Sequence, residues 1–298
     1  MNNYKLLIFD EIDSTNLEAI RIAKTNPSLN YAILAKTQTQ GRTRKGKKWQ
    51  SLLGNLHTSL LLKPNKELTL FPQLSFVTGL AVYETIESLI FQCHSRENGN
   101  PGKASGHPEF ISGSINNKML KQVQHDEPDS CLCGNDIKER KNDIGEENNI
   151  KNIKLKWPND ILINDKKISG ILLESLTVAN NNYLIVGVGI NIVRNPLNID
   201  QLTTSLSAEN MEIHRPEALL DIFIVNFEKY YQIWEQKGFI EIRKIWLEKA
   251  YKLNESVTIN DGNNTITGIF KGIDEVGRII IQLPTKKISS FTAGELSF

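Results

Sequence analysis

Three short stretches carry residue types that could do chemistry on anions. The first, GRTRKGKKW from Gly41 to Trp49, sets Arg42, Arg44, Lys45, Lys47 and Lys48 on a backbone with two glycines and ends on an indole. Glycines let backbone amides approach an anion closely, and guanidinium groups match the paired oxygens of phosphates and carboxylates. Such a segment can close over a polyanion, although a solvated basic turn would look the same. It is neither a Walker A loop nor a three-glycine dinucleotide turn. The second stretch is KWPNDILINDKKISG, Lys156 to Gly170. Alternation places Lys154 and Lys156 on one strand face and Leu155 and Trp157 on the other. Pro158 stops the strand just past Lys156, so its ammonium sits at a strand end, where side chains line clefts outside a sheet. The third, GVGIN from Gly187 to Asn191, thins a strand with two glycines and lets a ligand or another backbone come close.

The elements that must hold these residues are legible on either side of them. Asp13, Ser14, Thr15 and Asn16 precede the apolar positions Leu17, Ala19, Ile20 and Ala23, and Thr15 with Glu18 predicts a capping box at a helix start. Residues 32–35 and 56–62 read as buried strands, and Pro72 opens a helix running to about Ile90. Residues 154–157, 161–163, 168–173 and 183–192 read as consecutive strands, with Asn164-Asp165 as a tight turn between two of them. Pro216 opens a further helix whose Leu219, Phe223, Phe227, Tyr230 and Trp234 share one face, ended by Gly238. From about Leu253 the text turns to short Val, Ile and Thr runs broken by Asp-Gly, Lys-Gly and Val-Gly, the pattern of a small all-β domain.

Composition limits the function classes. In 298 residues, 35 Lys and Arg balance 34 Asp and Glu, so no global field favours nucleic acid or a membrane surface, and any anion site must be local. No apolar run approaches bilayer length and the start lacks the pattern of a secretory signal, which points to the cytoplasm. Between Cys93 and Asn149 the apolar content collapses while Asn, Gly, Lys and Glu accumulate, which reads as a disordered insertion. The insertion holds all three cysteines and three of the five histidines. Their spacing fits neither a structural zinc site nor a disulfide framework, so no metal site is expected.

Five motifs in order then carry a resemblance: Asp13-Ser14-Thr15-Asn16; Gln38-Thr39-Gln40-Gly41-Arg42 leading to Trp49; Lys156-Trp157-Pro158-Asn159-Asp160; Lys167-Ile168-Ser169-Gly170-Ile171-Leu172; and Gly189-Ile190-Asn191. Together with the closing Gly294-Glu295-Leu296-Ser297, the chain resembles the biotin-protein ligases, in a form without an N-terminal DNA-binding domain. The resemblance implies an α+β fold: a mixed sheet with helices like that of class II aminoacyl-tRNA synthetases over residues 1–250, interrupted by the 93–149 insertion, and an SH3-like β-barrel over 251–298. It implies two-step acyl transfer. Biotin's carboxylate attacks the α-phosphate of ATP, and a lysine of an acceptor, the biotin carboxyl carrier domain of a carboxylase, then attacks the mixed anhydride. Biotin, ATP and Mg²⁺ are the small molecules implied. The oligomer would be a monomer or homodimer, with neither DNA nor membrane as partner. A lipoate-protein ligase and a non-catalytic biotin-binding module are the alternatives.

Residue by residue, the resemblance implies biotin contacts from Ser14, Thr15, Asn16, Gln38, Gly41, Arg42, Thr43, Arg44, Lys156, Gly170 and Gly187. Arg42, Arg44, Trp49, Lys156 and Asn191 would meet the nucleotide, with Lys156 and Arg42 as the catalytic pair. Asn159 and Asp160 read as turn chemistry. Two departures stand out: Thr43 occupies a position where the family usually has Gly, and Lys47 replaces a customary Arg. Thr43 tolerates positive φ poorly, so looser closure of the loop is expected.

Overall fold

The structure is a computed structural model that describes residues 4–46, 48–97, 152–197, 201–211, 215–260 and 264–297. Most of the expected insertion, with Cys131 and Cys133, lies outside the described residues, as does Lys47. No described helix is long and apolar enough to cross a membrane.

A seven-stranded mixed sheet organises the larger part. Its strands are β1 (Tyr4–Ile12), β2 (Asn30–Gln38), β3 (Leu56–Leu62), β4 (Ile153–Lys156), β5 (Asp160–Ile163), β6 (Lys166–Val178) and β7 (Asn181–Ile190), in the order β1-β2-β3-β7-β6-β5-β4. Only β1 and β2 pair in parallel, and α1 (Thr15–Lys24) is the crossover between them. The other neighbours are antiparallel, joined where possible by tight turns. Asn164 and Asp165 turn at φ 49° and 63° between β5 and β6, the left-handed pair that a two-residue hairpin needs.

Strand alternation divides the core between the two faces. Ile33, Leu61, Tyr183 and Ile185 pack with Ala19 and Ala23 of α1 on one side. Ala32, Leu34, Leu60 and Leu62 face the larger core on the other, with α2 (Leu74–Glu97), α3 (Pro216–Lys237) and α4 (Phe239–Glu248). Both faces are covered, so β3 is buried at every position, His57, Thr58 and Ser59 included, and β7 is buried from Tyr183 onward. A second sheet of five antiparallel strands, ordered β11-β10-β9-β8-β12, spans β8 (Ser256–Asn260), β9 (Thr265–Ile273), β10 (Ile279–Gln282), β11 (Ile288–Phe291) and β12 (Glu295–Ser297).

Three details differ from the sequence reading. Helix α1 begins one residue earlier, with Ser14 as N-cap and no side-chain cap bond, so the Thr15–Glu18 capping box does not form. The Thr15 hydroxyl is engaged by Gln38 and Ser59, while Glu18 pairs with Arg21. Pro72 lies inside a short 3₁₀ turn, Leu68–Gln73, and α2 starts only at Leu74. That helix runs on to Glu97, past the expected start of the insertion at Cys93, because the polar residues there include good helix formers. Strand β1 escaped the pattern reading, since as a parallel edge strand it alternates only loosely between half-buried and exposed positions.

Candidate active site

Cross-strand register builds the floor of the site. Ser59, Gly187 and Leu172 stand in one row across β3, β7 and β6, and His57, Gly189 and Gly170 in the next. Both rows lie on the sheet face that carries α1. A Cβ on Gly187 would collide with the Asn16 carboxamide, and one on Gly189 with the Trp49 ring. A Cβ on Gly170 would sit 3.1 Å from Trp49 Cζ3. Gly187 and Gly189 are therefore required by protein side chains that lie flat on the strands, a role the sequence assigned to the ligand, while Gly170 leaves a tight fit beside Trp49.

At the start of α1 a polar network fixes the wall. The carboxamide oxygen of Gln38 accepts the Thr15 backbone N–H at 2.8 Å and lies 3.2 Å from the Thr15 hydroxyl. Ser59 Oγ lies 2.5 Å from Asn16 Oδ1 and 2.7 Å from Thr15 Oγ1. A serine has one proton and Asn16 Oδ1 can only accept, so Ser59 donates there and the proton of the 2.7 Å Ser59–Thr15 contact comes from Thr15. Asn16 Nδ2 donates to Glu174 Oε2 at 2.7 Å. Behind Gln38, its backbone N–H donates to Ser51 Oγ at 2.8 Å, which in turn lies 3.2 Å from His57 Nε2. His57 is buried, and desolvation pushes its pKa down to about 4, so it is neutral at physiological pH.

The cationic stretch folds as a closed loop over this floor. Trp49 N–H donates to Gly41 O at 2.9 Å, Arg42 and Lys48 form an isolated antiparallel bridge, and residues 44–46 make a 3₁₀ turn. The left-handed position in the described part of the loop falls on Gly46, at φ 71°. Thr43 takes no positive φ, so the strain expected there does not arise. Arg42 Nη2 lies 3.1 Å from both oxygens of Glu174, beside Asn16.

Two adjoining pockets result. The inner one, with a cavity volume of about 50 Å³, runs from Ser14, Thr15, Asn16 and Gln38 past Arg42 to Gly187 and Gly189. The outer one has a cavity volume of about 420 Å³, and its walls include Lys48, Lys156, Asp160, Asn191 and Glu295. Thr43, Arg44, Trp49, Asn159 and Lys167 belong to both walls and mark the seam.

Most of the residues expected at the site thus come together, but on two sides. Ser14, Thr15, Asn16, Gln38, Arg42, Gly170 and Gly187 line the inner pocket, whereas Lys156 and Asn191 line the outer one. Thr43, Arg44 and Trp49 line both, while Gly41 serves the loop closure. Asn191 is buried, donating to Thr204 O at 3.0 Å, so it also ties the loop after β7 in place.

Asp160 departs from its expected turn role: its carboxylate is 2.6 Å from Lys167 Nζ. Burial lowers the pKa values of Lys156 and of Arg44, and the charge of Asp160 opposes both shifts. Asn159 does shape the turn, donating to Ile171 O at 2.6 Å and accepting Ile171 N–H at 3.0 Å. Lys167, Glu174 and Gly189 were not among the expected site residues. Alternation from Gly170 through Leu172 would have placed Glu174 on the site face.

Sequence profiles of two families match the chain: the biotin/lipoate A/B protein ligase family over residues 8–191, and the biotin protein ligase C terminal domain over residues 252–298. Among curated relatives, a biotin--[acetyl-CoA-carboxylase] ligase of Paracoccus denitrificans is 29% identical over 91% of this chain and 92% of its own. The bifunctional ligase/repressor BirA of Bacillus spizizenii is 27% identical over 93% of this chain and 69% of its own. Among solved structures, the biotin protein ligase from Aquifex aeolicus in complex with biotin and ATP superposes with TM-score 0.65 at 26% identity, covering 98% of this chain and 97% of that one. The Leishmania major biotin protein ligase in complex with biotinyl-5-AMP shares the fold at TM-score 0.56 and 22% identity, covering 97% and 99% of the two chains.

Proposed function

Because the chain belongs to the biotin/lipoate A/B protein ligase family and is a biotin ligase, we propose that it activates biotin with ATP as biotinyl-5′-AMP and transfers the acyl group to a lysine of a biotin carboxyl carrier domain. One observation carries this reading: a small pocket walled by hydroxyls and carboxamides meets a wider cationic pocket at a seam lined by Arg44, Trp49 and Lys167. In it, the ring system of biotin occupies the inner pocket against Ser14, Thr15, Asn16 and Gln38. The nucleotide occupies the outer one, and the carboxylate reaches the α-phosphate at the seam.

The first step brings a carboxylate onto a polyphosphate, so like-charge repulsion must be offset. Arg42 and Arg44 from the loop, and Lys156 from the outer wall, supply that charge, and they stabilise the negative charge that builds on the phosphoryl oxygens and the leaving pyrophosphate. Trp49, already lying on Gly189, covers the adenylate and keeps water from the anhydride. Among the described residues no cluster of three or more acids or histidines could hold a metal. Mg²⁺ bound with the triphosphate would neutralise phosphate charge, and the outer wall offers it the carboxylates of Glu295 and of Asp160, the latter paired with Lys167. Residues 1–250 act in this reading as the catalytic domain and residues 251–298 as a small domain that closes the outer pocket.

Biotin-dependent exchange of labelled pyrophosphate into ATP tests the first step, and streptavidin detection of a biotinylated carrier domain tests the second. Both signals are expected. Tighter calorimetric binding of lipoate than of biotin would reassign the substrate, and biotin binding without any exchange would reduce the chain to a binding module.

A further inference from the structure

Asn55 belongs to none of the five motifs and stands in the turn that leads from the cationic loop into β3. It is 2% exposed. Its carboxamide oxygen accepts three successive backbone N–H groups of the segment that leaves β7: Ile192 at 3.0 Å, Val193 at 3.1 Å and Arg194 at 3.2 Å. Its carboxamide nitrogen donates to Arg194 O at 2.7 Å and lies 3.4 Å from Asn191 Oδ1. One side chain thus serves the main chain of three residues that have left the strand ladder. Its neighbour fits the same grip, since a Cβ on Gly54 would stand 2.9 Å from Val193 Cγ2.

The two segments joined in this way both wall the outer pocket. Trp49 and Gln50 reach it from the end of the cationic loop, and Asn191, Pro196 and Thr203 from the segment after β7. A cavity of about 520 Å³, lined by Gln50, Leu52, Val193 and Arg194 among others, opens between them. With space there in place of packing, the spacing of the two segments falls to Asn55 and to the Gly54–Val193 contact. The inner pocket takes no wall residue from Asn191 onward.

We propose that Asn55 is a positioning residue for the nucleotide half of the site, tying the segment after β7 to the end of the cationic loop so that both walls of the outer pocket stand in place before ATP enters. The proposal rests on the biotin-ligase reading and deepens it. Asn55 touches no reacting atom and acts through the backbone of residues 192–194. The segment is fixed at its root, where Asn191 N–H donates to Ile168 O at 2.9 Å, and further on, where Asn191 Nδ2 donates to Thr204 O at 3.0 Å. Between these points the N–H groups of Ile192, Val193 and Arg194 are held by Asn55. Without the carboxamide they turn to water, and the nucleotide wall loosens. The network of Thr15, Asn16, Gln38 and Ser59 around the inner pocket does not run through Asn55 and stays as it is.

The experiment compares Asn55→Ala and Asn55→Asp with the parent protein in three measurements: KM for ATP in biotin-dependent pyrophosphate exchange, ATP-free biotin affinity by calorimetry, and the rate of tryptic cleavage after the exposed Arg194. Asn55→Ala is expected to raise KM for ATP about 30-fold while ATP-free biotin affinity stays within about twofold, because the lost contacts all belong to the nucleotide wall. Cleavage after Arg194 should quicken about tenfold as the segment opens locally. Asn55→Asp keeps an acceptor for the three N–H groups but turns a carboxylate on Arg194 O, and should raise KM for ATP about fivefold. Parent-like KM for ATP and parent-like cleavage in Asn55→Ala, alongside an active parent, would overturn the role of Asn55 and leave the ligase reading intact. Equal weakening of ATP and biotin would also overturn it, by making Asn55 a prop for the whole fold. Absence of biotin-dependent exchange in the parent protein would sink the ligase reading and this proposal with it. Should Asn55→Ala melt well below the parent, Asn55→Asp decides: a folded variant with the parent's KM for ATP counts against a positioning role.

Discussion

Arg42 lines the inner pocket and Lys156 the outer one, and their environments set different expectations for the proposed reaction. Burial depresses the Lys156 ammonium more than Asp160 and Glu295 restore it. A group shifted this way loses its proton at lower pH than a free lysine, so the alkaline limb of kcat/KM for ATP should fall below pH 10.5. Bound phosphate stabilises the ammonium, which should move the same limb upward in kcat. Lys156→Ala is expected to reduce pyrophosphate exchange by about 1000-fold with an unchanged melting curve, because the side chain stands at a strand end and not in the core. Near-normal exchange in that variant would remove Lys156 from the mechanism. Arg42 is half-exposed and paired with Glu174 in the empty site, so its gain comes from exchanging that carboxylate for a ligand anion. Arg42→Ala should accordingly shorten the lifetime of bound biotinyl-AMP more than it weakens biotin. Equal losses for the two ligands would contradict this.

Strand rows and a helix start do the positioning, and each has its own test. Gly187 leaves the Asn16 side chain room to lie on β7, where it meets Ser59 and Glu174. Gly187→Ala should cost roughly 1–3 kcal/mol by overpacking and lower biotin affinity in proportion, read by urea unfolding and calorimetry; an unaffected variant would show that Asn16 is free to move. The link from β3 to the pocket runs through neutral His57, Ser51 and the backbone of Gln38. A histidine whose pKa falls from 6.5 to about 4 on folding takes up its proton more readily when unfolded. Its contribution to stability is therefore complete above pH 6.5 and is lost as pH falls toward 4, by roughly 3 kcal/mol over the window. His57→Gln should flatten the pH dependence of urea unfolding between pH 7 and pH 4.5, and an unchanged slope would refute the burial argument.

Across the whole molecule, the five-stranded sheet is lashed to the larger part beside the outer pocket. Trp157 Nε1 donates to Gly277 O at 3.0 Å, and Gln73 Nε2 donates to Glu275 O at 3.3 Å. Gly277 holds φ 87°, and a Cβ there would sit 2.5 Å from Phe76 Cε2. Trp157 is the residue after Lys156, so the same strand end that presents the ammonium also anchors the second sheet, and Glu295 of β12 closes the pocket wall. Gly277→Val should therefore cost roughly 2–4 kcal/mol through strain and overpacking and raise KM for ATP more than for biotin. Equal effects on both substrates would detach the second sheet from the nucleotide.

The local features of this protein were written in its sequence: the Asn164-Asp165 turn, the strands 56–62 and 168–173, the apolar face of α3, and a loop dense in cations. Each depends on neighbours within a few residues, through allowed backbone angles and the burial of every second or every third to fourth side chain. The resemblance carried by five motifs identified the family, and most of the residues it nominated do gather around two adjoining pockets. Tertiary structure alone decided which cation faces which pocket, that Asp160 is a counter-ion and not only part of a turn, and that Ser14 caps α1 while Thr15 turns to Gln38. Those outcomes depend on register between β3, β7 and β6, on the loop at Leu202–Thr204 clamping Lys167, and on desolvation at the seam. No spacing along the chain encodes a charge's neighbours across strands, so the electrostatic arrangement appears only when the sheet is assembled.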